Sequence, residues 1–334
     1  MGKSIIGILM AAVLLCLPAT SDAAPAGKAK YELRLGNVSA PQHPYNVALV
    51  KVFDEVREKT NGEVNVTIYP SSQLGSQREM TESVSNGVLD AVCSTAATLA
   101  SFAKTVQVCD IPFLFKDREH SYRVFDDPEL TNVIFKGVPE AIGPIIGFYD
   151  NGTRQIISKA LVKSPADMAK KKMRVLDGKA FIRMAECLGA AAIPLPYGEL
   201  YTALQQGTVD LADQVITGTL NDKLYEVAPQ MTITNHSYSV TVIIVSPMLE
   251  KKIGAKNYKI LVDTVKAHTA AERKLAQDDD VRCLKEIEAN GGSSYTPTDA
   301  EMKAFRDACA PMWGEFDKII GGDLINKILA KAEK

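Results

Sequence analysis

Tyr31, Leu33 and Leu35 alternate with polar residues and the run closes at Gly36-Asn37, which predicts a half-buried strand followed by an exit loop. After Pro44 the period changes. Leu49, Val52, Phe53 and Val56 fall at i, i+3, i+4 and i+7, the spacing of a helix packed along one face, and Asn61-Gly62 stops it. Alternation resumes at Val64, Val66 and Ile68 and ends at Pro70. Strand, helix, strand in this order is the unit from which parallel sheets are built.

About 140 residues later the pattern returns. Met173 to Gly178 reads as a strand running into a loop, Phe181 to Leu188 as a helix ending at Gly189, and Ala190 to Leu195 as a strand closed by Pro196. The flanking segments match too. Gln73-Leu74-Gly75 leads through a helix to Asn86-Gly87-Val88-Leu89-Asp90-Ala91, and Gly198-Glu199-Leu200 leads to Gln206-Gly207-Thr208-Val209-Asp210-Leu211. Each is a helix, a glycine stop and a strand opening. Two α/β lobes of one design are the economical inference, and ligands of such sheets sit at the carboxyl ends of their strands. Strand-end placement puts Asn37, Gln73, Ser94 and Thr95 on one wall of an interlobe cleft. Arg174, Asp177, Tyr197, Asp213 and Gln214 fall on the other, with Thr217 and Tyr238 as weaker candidates.

Further on, Val240 to Val245 is a β-branched run suited to return to the first sheet. From Lys256 to about Asn290 the apolar spacing predicts one helix of about 30 residues, roughly 45 Å long, enough to cross both lobes. On it, Asp278-Asp279-Asp280 reads as solvated surface. Thr298-Asp299-Ala300-Glu301 is a capping box that opens another helix.

Composition narrows the function classes. Of 334 residues, 23% are charged and 46% hydrophobic, and the net charge of −2 supplies no electrostatic reason to bind nucleic acid. The one long apolar run, Ile5 to Leu17, follows Lys3 and precedes Ala19 to Ala24, the layout of a signal peptide cut after Ala23 or Ala24. An uncleaved anchor is the alternative. Past that cut five cysteines remain, Cys93, Cys109, Cys187, Cys283 and Cys309, without any Cys-x-x-Cys pair. Buried free thiols are the plainer reading, and Cys283 with Cys309 is the most plausible bridge in an oxidising compartment. Phosphate-loop, nucleophile-elbow, zinc-helix and dinucleotide motifs are missing, and His43, His120, His236 and His268 lack ligand spacing. No metal or cofactor is expected.

Five segments in register carry a family resemblance. They are Asn61-Gly62 to Gln73-Leu74-Gly75, Ile111 to His120, Asn151-Gly152-Thr153-Arg154, Lys172-Met173-Arg174-Val175, and Pro194 to Gln205. Over Tyr31 to Val245 the chain resembles the DctP-type solute-binding proteins of TRAP transporters. The resemblance implies a two-lobed periplasmic binding protein of α/β class, with hinged domains and a long helix spanning both. The domains would be a signal peptide at 1–23, lobe I at 30–151 plus 238–279, and lobe II at 152–237 plus 280–330. It implies capture of a small organic anion, a carboxylate or a small sulfonate such as isethionate, for delivery to the membrane permease subunits. The processed chain would not insert in the membrane. Arg174 would clamp the acid group, Arg154 assist it, and Tyr197 pack on the ligand. Where the family commonly has Asn followed by Pro, this chain has Gln214-Val215, so the usual dicarboxylate preference does not carry over by itself. An enzyme acting on a small organic acid on the same scaffold is the competing reading.

Overall fold

The computed structural model describes residues 29–321 and 323–332; the segment expected to be a signal peptide, with Cys16, lies outside the described residues. The alternating segments become β1 (Tyr31–Gly36), β2 (Val64–Tyr69), β3 (Ala91–Thr95), β4 (Ile145–Ser158), β5 (Lys172–Val175), β6 (Ala191–Pro194), β7 (Leu211–Val215), β8 (Gln230–Val245) and β9 (Ser293–Tyr295). They form one sheet in the order β2-β1-β3-β8-β4-β7-β5-β6, with β9 beside β8. The repeat is visible in it. β2-β1-β3 are parallel and meet β8 antiparallel, while β6-β5-β7 are parallel and meet β4 antiparallel.

β4 and β8 are long because they serve both halves. β8 pairs β3 through Thr241 to Val245, and β4 pairs β7 through Arg154 to Ser158. Between them the β4–β8 register slips from Asp150 to Thr153. Gly152 sits in that slip at φ +94°, a backbone that a side chain would strain.

Helix α1 (Pro44–Lys59) follows the apolar pattern read from it, burying Leu49, Val52, Phe53 and Val56 against β1 and the sheet. Burial of this kind contributes about 1.5–3 kcal/mol for each large side chain. Helix α2 (Gln77–Ser85) opens at a capping box formed by Ser76 and Glu79.

Three sequence expectations need correction. The long helix is two, Ala255–Ala267 and Thr269–Ala289, separated at His268, where the bond to Thr264 O is stretched to 3.3 Å and the ring meets Glu55 of α1 at 2.7 Å. The second segment, 21 residues and roughly 31 Å, packs on α1, on β4 and on the helix Ile216–Asn221. The Asp278-Asp279-Asp280 run is not all surface. Asp278 is exposed and pairs with Lys274, but Asp280 lies on the buried stripe and is ion-paired to Arg118. Cys93, Cys109, Cys187, Cys283 and Cys309 are all free; Cys283 and Cys309 belong to different core clusters, which removes the proposed bridge.

Candidate functional site

The matched strand ends and the N-terminus of α2 border a cavity of about 360 Å³, within the range of small-molecule sites. Arg174 reaches it from β5. Leu195 O, at the end of β6, accepts from its Nε at 3.0 Å and from Nη2 at 2.8 Å. Nη1 finds no hydrogen-bond partner among the described residues, and no carboxylate lies within ion-pair distance. The residue is 3% exposed, and burial lowers its guanidinium to about 10, still charged at neutral pH. The Tyr197 ring lies 5.9 Å from the guanidinium, and its hydroxyl donates to Asp222.

Arg154, from β4 beyond the register slip, has a different environment. Its Nε and Nη2 donate to the Asp213 carboxylate at 2.5 and 3.1 Å, and Nη2 also to Asp213 O at 3.0 Å. Burial alone would raise the Asp213 carboxyl, but the neighbouring Arg154 guanidinium holds it well below the usual range. The pair is thus internally compensated. Gln214, next along β7, points its amide to the cavity. Its Oε1 accepts from Val215 N–H at 2.7 Å, while its buried Nε2 has no partner. A Cβ at Gly218 would lie 3.0 Å from the Tyr197 hydroxyl and 3.3 Å from the Gln214 amide, so glycine there keeps both side chains in place.

Of the residues read from the sequence, Arg174, Arg154, Gln214, Tyr197, Thr95 and Asp177 line the cavity. Four do not. Asn37 is buried beneath it, exchanging hydrogen bonds with Asn46 at 2.7 and 3.2 Å. Ser94 alternates away from Thr95 and bonds Thr81 at 3.2 Å. Gln73 is exposed outside the wall, and Asp213 sits behind Arg154. Thr217 is buried against His43 at 3.2 Å, and Tyr238 packs into an aromatic cluster with Phe115, Tyr122 and Phe125. Sequence reasoning missed Gln77, Arg78, Thr98 and Asn151. The first two occupy the first turn of α2, which the Ser76-to-Glu79 spacing signals. Among the described residues no cluster suits a metal ion, and no helix is long and apolar enough to cross a membrane.

The comparisons agree with this architecture. A family model described as bacterial extracellular solute-binding protein, family 7 (DctP) matches residues 35–319. The chain is 27% identical over 285 residues to the 2,3-diketo-L-gulonate-binding periplasmic protein of Escherichia coli, covering 84% of this chain and 85% of that protein. A TRAP periplasmic solute-binding protein of Polaromonas sp. JS666, solved bound to D-erythronate, is 31% identical, with TM-score 0.85 over 90% of this chain and 98% of that one. A counterpart from Sulfurospirillum deleyianum, solved with succinate, is 28% identical, with TM-score 0.86 over 90% and 99%.

Proposed function

Since the chain belongs to family 7 of the bacterial extracellular solute-binding proteins, we propose that it holds a small organic acid as its carboxylate beside Arg174 and delivers it to the permease subunits of a TRAP-type transporter. As a member of that family it is a solute-binding protein and not an enzyme. The observation that carries the ligand reading is the pairing of two unmet donors on one cavity, Nη1 of a buried arginine without a counter-ion and Nε2 of Gln214. A buried guanidinium without an anion is costly, and each charge-assisted bond to a carboxylate returns about 1.5–3 kcal/mol. The planar fork also matches a carboxylate in a way that an ammonium does not.

The succinate and D-erythronate bound by the two structural relatives are both carboxylates, which supports a carboxylate here over a sulfonate such as isethionate. In this reading residues 1–23 are a signal peptide removed on export to the periplasm. Lobe I (30–151 with 238–279) and lobe II (152–237 with 280–330) close about the register slip at Asp150 to Thr153.

Isothermal titration of organic acids into the chain from residue 24, stripped of co-purified ligand, tests the assignment. Arg174→Ala is expected to weaken the best acid at least about 100-fold, and Arg174→Lys to recover little of it. Unchanged affinity in a folded Arg174→Ala variant removes the clamp.

A further inference from the structure

Three cations line the cavity, and two are already matched. Arg154 is held by Asp213, while Arg78 lies between Glu82 at 3.1 Å and Asp177 at 3.6 Å. The N-terminus of α2, which borders the cavity, is partly closed by its own capping box. Glu79 Oε2 accepts the Ser76 N–H at 2.8 Å. A second carboxylate reaching that wall would meet Arg78 already paired, with Asp177 on the lining and Glu79 and Glu82 further along the same helix.

The same wall suits neutral polar groups. Thr95 and Thr98 donate to Gln77 Oε1 at 2.8 and 2.6 Å, which leaves both threonine oxygens with lone pairs for an incoming donor. Among the described residues the hydroxyls of Ser39 and Ser76, also on the lining, donate to no protein acceptor. The facing wall is largely apolar, built by Leu176, Pro194, Leu195, Pro196 and Val215. An ammonium group has no desolvated carboxylate to meet. Asp213 is saturated by Arg154, and the Asp177 side chain is 71% exposed and pairs with Arg78.

We propose that the ligand is a hydroxylated monocarboxylate, its acid on Arg174 and Gln214, its hydroxyls on the Ser39, Ser76, Thr95 and Thr98 wall, and a C–H face on the prolines. This rests on the reading of Arg174 as a carboxylate clamp and narrows it to one class, setting dicarboxylates, amino acids and unsubstituted acids aside.

Titration calorimetry with acids matched in carbon number tests the class. The panel is 2,3,4-trihydroxybutanoate, succinate, butanoate and 4-aminobutanoate, with the six-carbon set of pentahydroxyhexanoate, adipate, hexanoate and 6-aminohexanoate. The tightest binder is expected to be a polyhydroxy acid, at least about tenfold ahead of the other acids of its length. Equal or tighter binding of a dicarboxylate, an amino acid or a plain acid overturns the proposal, as does failure of both polyhydroxy acids to bind at millimolar concentration. Gln77→Leu gives a second readout. It should cost a polyhydroxy acid about tenfold and leave the plain acid of equal length within about twofold, whereas an equal loss for both overturns the role of the wall. Arg174→Ala separates the two levels: dicarboxylate binding that is lost in this variant keeps the clamp and sinks the class, while binding that survives it sinks the clamp itself.

Discussion

Arg174 and Arg154 are alike as letters, and their surroundings give them different work. Arg154 faces a carboxylate one strand away and is neutralised before any ligand arrives, whereas Arg174 meets only a backbone carbonyl and an aromatic ring. Asp110 is the converse case, a carboxyl buried near that pair with Oδ2 unpartnered; burial pushes it up to about 8, against the pull of Arg154. The unfolded chain releases this proton near pH 4. The folded form is therefore favoured most below that pH and loses the contribution as pH rises through about 8. Thermal unfolding of Asp110→Asn against the parent chain should show the difference in stability moving in the variant's favour by about 1–3 kcal/mol from pH 5 to pH 8. A difference that stays flat with pH would mean Asp110 is ionised in the folded chain.

Elements obey local rules where their ends are polar and exposed, and tertiary contacts where they are not. Thr298 accepts from Glu301 N–H at 3.4 Å, and Glu301 accepts from Thr298 N–H at 2.8 Å, as the spacing predicts. Thr298→Ala should cost about 1 kcal/mol, read as a lower urea midpoint at unchanged slope. The long helical segment shows the limit of such reading. A helical period was legible from Lys256 to about Asn290, but not the buried stripe through Leu261, Val265, Glu272, Ala276, Cys283 and Ile287, which includes a carboxylate while Val281 stays exposed, and the interruption at His268 answers to Glu55, more than 200 residues earlier in the chain. Likewise nothing local marks Asp280 as buried. Its partner Arg118 arrives from another helix.

For the whole molecule, β4 and β8 are the only strands that pair within both halves of the sheet among the described residues, so relative motion of the halves concentrates where their register slips. The halves already meet at the cavity, where Arg78 pairs with Asp177, both on its lining. Small-angle scattering of the stripped chain should therefore show a larger radius of gyration that contracts when the cognate acid is added, and Arg174→Ala should abolish the contraction. No contraction in the parent chain would mean that the cleft does not open and close about the slip.

Periodicity, glycine stops and capping residues are properties of neighbours in the chain, so the repeated strand–helix–strand units, the strand-end loops and Arg174 with Gln214 were readable from the amino acids alone. What lies opposite a side chain is decided by segments far apart in sequence. Only the folded molecule could show that Arg154 is held by Asp213, that Asn37 and Ser94 turn inward while Gln77 and Thr98 face the cavity, and that of the three arginines on the cavity Arg174 is the one without an ion pair. Charge balance in a buried site depends on distance in space, which linear order does not encode.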